Sequence, residues 1–330
     1  MTLNHQKNLV SVVVPAYNAA KILPACLSAL QNQTRPPDEI IVVDDGSTDE
    51  TIQTAMGCGA MVIEQAHQGP AAARNLGIER ARGDLVLFTD ADCEPLPDWV
   101  DKMIAPLADP QVVGVKGIYR TRQSSPTARF VQAEYEDKYD LMSHHATIDF
   151  IDTYAAAYRR SVYIENGGMD PHFPRASGED IDFSYRLAQH GYKLVLARCA
   201  AVYHRHPDTV TKYLRRKYHV GYWRVRMYKK HPEKMVADSH TPQSLKLQMG
   251  LLGAIALAWV GSLYSAIGWE ITLVLVALFG ISILPFMIKT WGRDKLIAIL
   301  APMFLALRAL ALDVGFMIGL IAQLWEVIHQ

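Results

Sequence analysis

Cysteine is scarce in this chain. The four in 330 residues, Cys26, Cys58, Cys93 and Cys199, are scattered, with neither CxxC pairs nor His-Cys ligand spacing. That excludes a disulfide framework or a structural zinc and leaves reduced, core-filling thiols. Charge of one sign is also lacking: 33 basic residues balance 33 acidic ones, so no global field draws the chain to nucleic acid. No GxGxxG follows the first strand-like run, where a Rossmann oxidoreductase would carry it. No GxSxG or Cys-His signature points to a covalent nucleophile. Before Pro15 there is only a six-residue apolar run, too short for a signal peptide, so the first part of the chain is expected in the cytosol. Hydrophobic residues make up 50% of the chain but concentrate in its last eighty or so positions.

What the chain does contain is acid wherever predicted strands end. Asp44-Asp45 lies in IIVVDDGSTD, Asp90-Ala91-Asp92 in LVLFTDADCEPLP, and Glu179-Asp180 in ASGEDIDF. The first two follow apolar, largely β-branched runs that read as buried parallel strands. Ligands of open α/β sheets sit beyond the carboxyl ends of such strands, so these acids should gather around one crevice. Carboxylates that close repel unless a cation or hydrogen bonds compensate. The arrangement asks for a divalent cation, Mg2+ or Mn2+, whose shell phosphate oxygens and water complete.

Residues 9–120 alternate in a βα rhythm, predicting strands at 9–14, 39–43, 60–64 and 85–89 and helices at 20–31, 48–56 and 70–81. That rhythm implies a parallel sheet with helices on both faces. Residues 124–150 read as an amphipathic connector or a site flank. Residues 151–206 return to mixed α/β character, with a strand at 193–196.

From Asp208 the composition changes. Between Thr209 and Lys230 there are eight Lys/Arg and no acids, interleaved with Tyr213, Tyr218, Tyr222, Trp223 and Tyr228. Leu214, Tyr218, Tyr222 and Val225 recur at helical spacing, which predicts a basic, aromatic helix on a membrane surface. Residues 247–269 and 271–288 are nearly charge-free and long enough for a bilayer, which needs about 20 apolar residues. A third stretch, 296–324, is interrupted by Arg308 and Asp313, five apart and poorly placed to pair. It reads as a tilted span, a kinked pair, or a segment partly re-entrant behind Pro302. Lys289, Arg293 and Lys295 lie between the second and third stretches, whereas the first turn, at 268–270, lacks Lys/Arg. The positive-inside rule then puts the N-terminal region and the 289–295 loop in the cytosol.

VSVVVPAYN, IIVVDDGSTD, GPAAARNLGIERARGD, FTDADCEPLP and GGMDPHFPRASGEDIDFSYRL occur in this order over residues 9 to about 206. With them the chain resembles the family 2, inverting glycosyltransferases of GT-A fold with C-terminal transmembrane helices. The fold class implied is α/β: a Rossmann-like, mixed but mostly parallel sheet, followed by an all-α membrane region. Residues 1–206 form the catalytic domain, 207–245 interfacial helices, and 246–330 about three spans.

The resemblance implies roles. Asp92 is a direct metal ligand, Asp90 meets the donor's ribose or the metal, and His204 is a further candidate ligand. Pro15, Ala16, Tyr17, Asp44, Asp45, Arg74, Asn75, Asp90 and Ala91 line the nucleotide-sugar donor. Asp180 is the base, Glu179 positions the acceptor, and Gly168, Arg186 and Trp223 contact the acceptor or brace the site. The QxxRW motif of processive synthases is absent, which argues against processive chain synthesis.

The expected activity is transfer of a sugar from a nucleotide-sugar donor to an acceptor hydroxyl in cell-envelope or exopolysaccharide synthesis. A UDP-sugar is favoured and a GDP-sugar compatible, with a glycan or polyprenyl-linked acceptor. The protein is expected as a multi-pass inner-membrane protein whose catalytic domain is cytosolic. Two other classes are a non-catalytic membrane scaffold and a nucleotide-cofactor oxidoreductase; retention of every acid cluster argues against the first, the missing glycines against the second.

Overall fold

A computed structural model describes residues 8–173, 178–236 and 238–328. In chain order the elements are β1 (Val10–Ala16), α1 (Leu23–Gln31), β2 (Glu39–Asp44), α2 (Thr51–Gly57), β3 (Met61–Glu64), α3 (Pro70–Arg80), β4 (Leu85–Thr89), β5 (Cys93–Pro95), α4 (Trp99–Ile104), β6 (Val112–Arg120) and α5 (Pro126–Ser143). They continue with β7 (Ala155–Arg159), α6 (Arg160–Glu165), α7 (Glu179–Gln189), β8 (Lys193–His204), α8 (Val210–Lys230), α9 (Gln243–Ser262), α10 (Ala266–Trp291) and α11 (Lys295–Ile328). Two compact units result: residues 1–122 with 142–205, and residues 123–141 with 206–330. Residues 123–141, which the sequence grouped with the catalytic region, thus pack with the C-terminal helices, and the supposed connector is an 18-residue helix.

The first unit is built on one eight-stranded sheet in the order β3-β2-β1-β4-β7-β6-β8-β5. Strands β1 to β4 run parallel; β7 pairs antiparallel with both β4 and β6, and β5 antiparallel with β8. Strands β1 to β4 thus supply the parallel part of the mixed sheet that was expected. Val12, Val13, Val14, Leu87 and Phe88 have no exposed surface, as expected of central strands covered on both faces. Each such side chain contributes about 1.5–3 kcal/mol of burial. Gly77 lets α3 press onto the sheet, because a Cβ there would lie 2.3 Å from Val13 Cγ1.

An aromatic cluster of Phe88, Tyr158, Tyr163 and Phe183, with ring centroids 4.5–6.1 Å apart, joins β4, β7, α6 and α7. It anchors the first turns of α7 beside the sheet. Strand β8 is longer than the four residues expected: pairing with β6 and β5 carries it to His204.

In the second unit, α9, α10 and α11 are each long and apolar enough to cross a membrane. The first turn falls at 263–265, not 268–270, because Ser265 caps α10 by accepting from the Ile267 amide. Pro302 neither kinks α11 into two helices nor ends it.

Candidate active site

The parallel register fixes which strand ends meet. Ala16 of β1 lies opposite Asp44 of β2, and Val13 lies opposite Phe88 of β4. Asp44-Asp45 and Asp90 therefore emerge on either side of Pro15 and Ala16, at the carboxyl edge expected for a ligand.

Asp44 and Asp45 are both buried but differ in what they touch. Both Asp45 oxygens are engaged by the loop after β3: Oδ1 accepts from Gln65 Nε2 (2.6 Å) and the Gln68 amide (2.8 Å), and Oδ2 from the Gly69 amide (2.9 Å). His67 Nδ1 lies 2.9 Å from Oδ2, and the His67 ring stacks on Tyr17 at 4.3 Å. Gly46 makes this wrapping possible; its φ is +76°, and a Cβ would sit 2.9 Å from the His67 amide nitrogen. Asp44 Oδ2 accepts from the Ser47 amide, while its Oδ1 is buried with no partner among the described residues. An unsatisfied buried carboxylate oxygen is costly, which marks it as waiting for a donor.

Helix α3 starts at Pro70, behind Gly69 with φ +95°, and carries Arg74 inward. Arg74 is 3% exposed and donates to two acids at once, Asp90 Oδ1 at 2.7 Å and Glu179 Oε1 at 3.3 Å. Asn75 is engaged elsewhere: its Oδ1 accepts from Tyr163 Oη and the Met169 amide, and its Nδ2 donates to the Met169 carbonyl. It holds the turn at Gly168, whose φ is +63°. Arg186 donates to the Asn166 and Gly168 carbonyls and to Asp182 at 3.2 Å, bracing the same turn against α7.

Ala91 is buried at the apex of the DxD turn, closed by the Cys93 amide donating to the Asp90 carbonyl. One ligand atom each of Asp90, Asp92 and Cys93 lies within 4.8 Å of the others. Burial, and then the charges of Asp90 and Asp92, push the Cys93 thiol well up. His204 Nε2 lies 3.3 Å from Asp92 Oδ2, and its ring stacks on Tyr119 at 4.3 Å. Burial would raise the Asp92 carboxyl, but the His204 hydrogen bond and charge outweigh it and hold it below its ordinary value. Two carboxylates and an imidazole on adjacent strand ends fit a divalent cation such as Mn2+ or Mg2+.

Glu179 and Asp180 open α7 behind Gly178, whose φ is +130°. Glu179 is 2% exposed and also accepts from the Gly178 amide. Asp180 is half-buried; Oδ1 accepts from the Ile181 amide. Burial first, and the neighbouring Glu179 charge second, push the Asp180 carboxyl up to about 7, with Arg74 and Lys116 acting in the opposite sense.

The structure thus brings Pro15, Ala16, Tyr17, Asp44, Asp45, Arg74, Asp90, Ala91, Glu179 and Asp180 to the first unit's sheet edge, with Asp92 and His204 paired beside Asp90. Trp223 lies in the second unit, edge-on to Tyr222. His67 and Lys116 went unnoticed in the sequence. Lys116, 1% exposed, pairs with Asp152 and donates to Tyr154 Oη. Its one signal was a lone lysine inside the apolar strand VVGVKGIYR. Cys26 and Cys93 are core thiols as expected, but Cys199 is exposed on β8.

Residues 11–167 match the family model described as Glycosyl transferase family 2. Glycosyltransferase AglE of Haloferax volcanii is 32% identical over 200 residues, 57% of this chain and 64% of that protein. The pre-mycofactocin glycosyltransferase of Mycobacterium tuberculosis is 28% identical over 286 residues, 82% of this chain and 56% of that protein. The chain therefore spans somewhat under two thirds of the length of these relatives. Among solved structures, the mannosyltransferase PcManGT from Pyrobaculum calidifontis, in complex with GDP-Man and Mn2+, superposes with a TM-score of 0.62 at 21% identity, over 91% of this chain and 87% of that one. Fold and site together define a GT-A domain followed by apolar helices.

Proposed function

We propose that this protein is a membrane-anchored, inverting glycosyltransferase, moving a sugar from a nucleotide-sugar donor to an acceptor hydroxyl at the cytosolic face of the cell membrane. The observation that carries the reading is Arg74. One buried guanidinium holds Asp90 of the DxD turn and Glu179 of α7, so the acids of the donor side and the candidate base belong to one site.

Asp44, through its unpartnered Oδ1, accepts a hydrogen bond from the base or ribose of the donor. Tyr17 and His67, stacked and held by Asp45, form the neighbouring wall. Asp90, Asp92 and His204 would hold Mn2+ or Mg2+, which offsets the charge of the departing diphosphate. Asp180 accepts the proton of the acceptor hydroxyl as its oxygen bonds the anomeric carbon and the carbon–oxygen bond to the diphosphate breaks on the opposite face. Glu179, fixed by Arg74 and the Gly178 amide, keeps Asp180 aligned.

The apolar helices support a polyprenyl-linked or other lipid-linked acceptor in envelope or exopolysaccharide synthesis. Lys289 and Arg293, in and after the last turn of α10, pair with Asp137 and Asp140 of α5. That keeps the basic loop on the side of the chain that precedes the membrane, in line with a cytosolic orientation.

A screen of UDP- and GDP-sugars for thermal stabilisation, with and without Mn2+, tests the reading. One donor should raise the midpoint only with the cation, and Asp92→Ala should abolish that dependence. Stabilisation by none of them, with or without metal, refutes the proposal.

A further inference from the structure

The three apolar helices are not equivalent. Helices α9 and α10 are exposed nearly all round, with 11% and 17% of their apolar windows buried, whereas α11 has 44% buried. The buried residues of α11 form one face: Ile297, Ala301, Phe304, Leu305, Arg308, Ala309 and Leu312 are covered. The opposite face, through Leu296, Ile299, Met303, Leu310, Val314, Met317, Ile321 and Leu324, is exposed and apolar at helical spacing, with the half-buried Asp313 at its edge. At 34 residues α11 is about 51 Å long, against a hydrocarbon core of roughly 30 Å.

Helices α5 and α10 share the cluster around Phe304, and α8 covers the buried face from there on. Added Cβ atoms at Gly315 and Gly319 of α11 would lie 2.1 Å and 2.4 Å from the carbonyl oxygens of Tyr218 and Tyr222, and one at Gly221 would lie 2.3 Å from that of Leu312. Tyr213 packs edge-on against Phe304. The two backbones therefore run side by side from about residue 304 to residue 319 of α11. Helix α8 carries eight Lys/Arg and no acid, with Lys212, Arg215, Arg216, Lys229 and Lys230 exposed. If α11 crossed the bilayer, α8 would be dragged through it with those charges, which a hydrocarbon core does not tolerate.

The polar groups between the helices agree. Arg308, midway along α11, donates to Glu134 of α5 (3.0 Å) and to Gln248 (2.7 Å) near the start of α9. Lys217 of α8 reaches Glu134 at 3.1 Å. The hairpin residues that cluster with the buried face of α11, among them Met249, Leu252, Ile255, Phe279, Ile283 and Phe286, all lie eight or more residues from the 263–265 turn. A third span antiparallel to α10 would follow the hairpin to that turn.

We propose that α11 does not cross the membrane but lies in its surface plane. Its apolar face enters the acyl chains, while α8 sits on its aqueous side with the basic stripe among lipid headgroups. The chain then crosses twice, by α9 and α10 alone, and residue 328 is on the same side as the N-terminal unit. This deepens the membrane reading above without depending on the reaction.

Reporter fusions to the full chain in a bacterial host test it, using a fluorescent protein that matures only in the cytosol and a phosphatase active only outside. Fusions at the N-terminus and after Gln330 should both fluoresce, with loss of phosphatase activity at the latter, while a phosphatase placed after Tyr264 should be active. Phosphatase activity after Gln330, without fluorescence there, overturns the proposal in favour of three spans. An inactive phosphatase after Tyr264 overturns it too, because the hairpin would then not cross.

Discussion

Replacing Asp180 by asparagine should abolish transfer and, at the same time, stabilise the fold. The Asp180 carboxyl is pushed up to about 7, by burial first and by Glu179 second. Its ordinary value is about 3.9, so the folded chain holds this proton over a window in which the unfolded chain has released it. A folded-state value above the unfolded one means that stability falls as pH rises from about 4 to about 7 and levels off beyond. Three pH units at about 1.36 kcal/mol each give roughly 4 kcal/mol at pH 8. Asparagine removes that penalty but adds an NH2 group needing a partner, so about 2 kcal/mol of net gain is expected, or roughly 4–8 °C in melting midpoint. The same substitution removes the base and should cost about 10²–10⁴ in kcat. Thermal melts of both proteins at pH 5 and pH 8, beside kcat/KM profiles for transfer, make the test. The wild type should lose activity tenfold per unit below about pH 7, and the gain in midpoint should appear at pH 8 and vanish near pH 4. A variant that keeps the wild-type rate, or that melts no higher at pH 8, refutes the assignment of Asp180.

Arg74→Met removes the guanidinium that pairs with buried Glu179 and should destabilise the first unit by about 3–5 kcal/mol, seen in melts; Arg74→Met with Glu179→Gln should recover part of that loss. Asp92→Ala should remove Mn2+-dependent stabilisation by donor while leaving the metal-free melt nearly unchanged, because the Asp92 side chain is 38% exposed. Gly319→Val places side-chain atoms where the Tyr222 carbonyl lies 2.4 Å from the Cβ position, so α8 should detach, read as protease cleavage within residues 210–230. Tyr17→Ala should raise the KM for donor more than it lowers kcat, since the ring stacks on His67 at the wall of the site.

Local pattern alone places β1 to β4 and the acids that follow β2 and β4, though not β5, β6 or β7. A β-branched run followed by Asp-Asp or by DxD is a local pattern, and β4 begins and ends where its composition says. The sequence by itself also determined that the last eighty residues are helices of membrane length, because span length follows from counting apolar residues. Which acid touches what could only come from tertiary structure. Asp44 and Asp45 are neighbours in sequence, yet one is enclosed by the 65–69 loop and the other keeps a buried oxygen without a partner, a difference set by chain that arrives twenty residues later. Arg74 lies 105 positions from Glu179, and no periodicity reports on a contact that long-range folding makes. The same holds for α11: composition cannot distinguish a span from an in-plane helix, because the difference lies in what covers its second face.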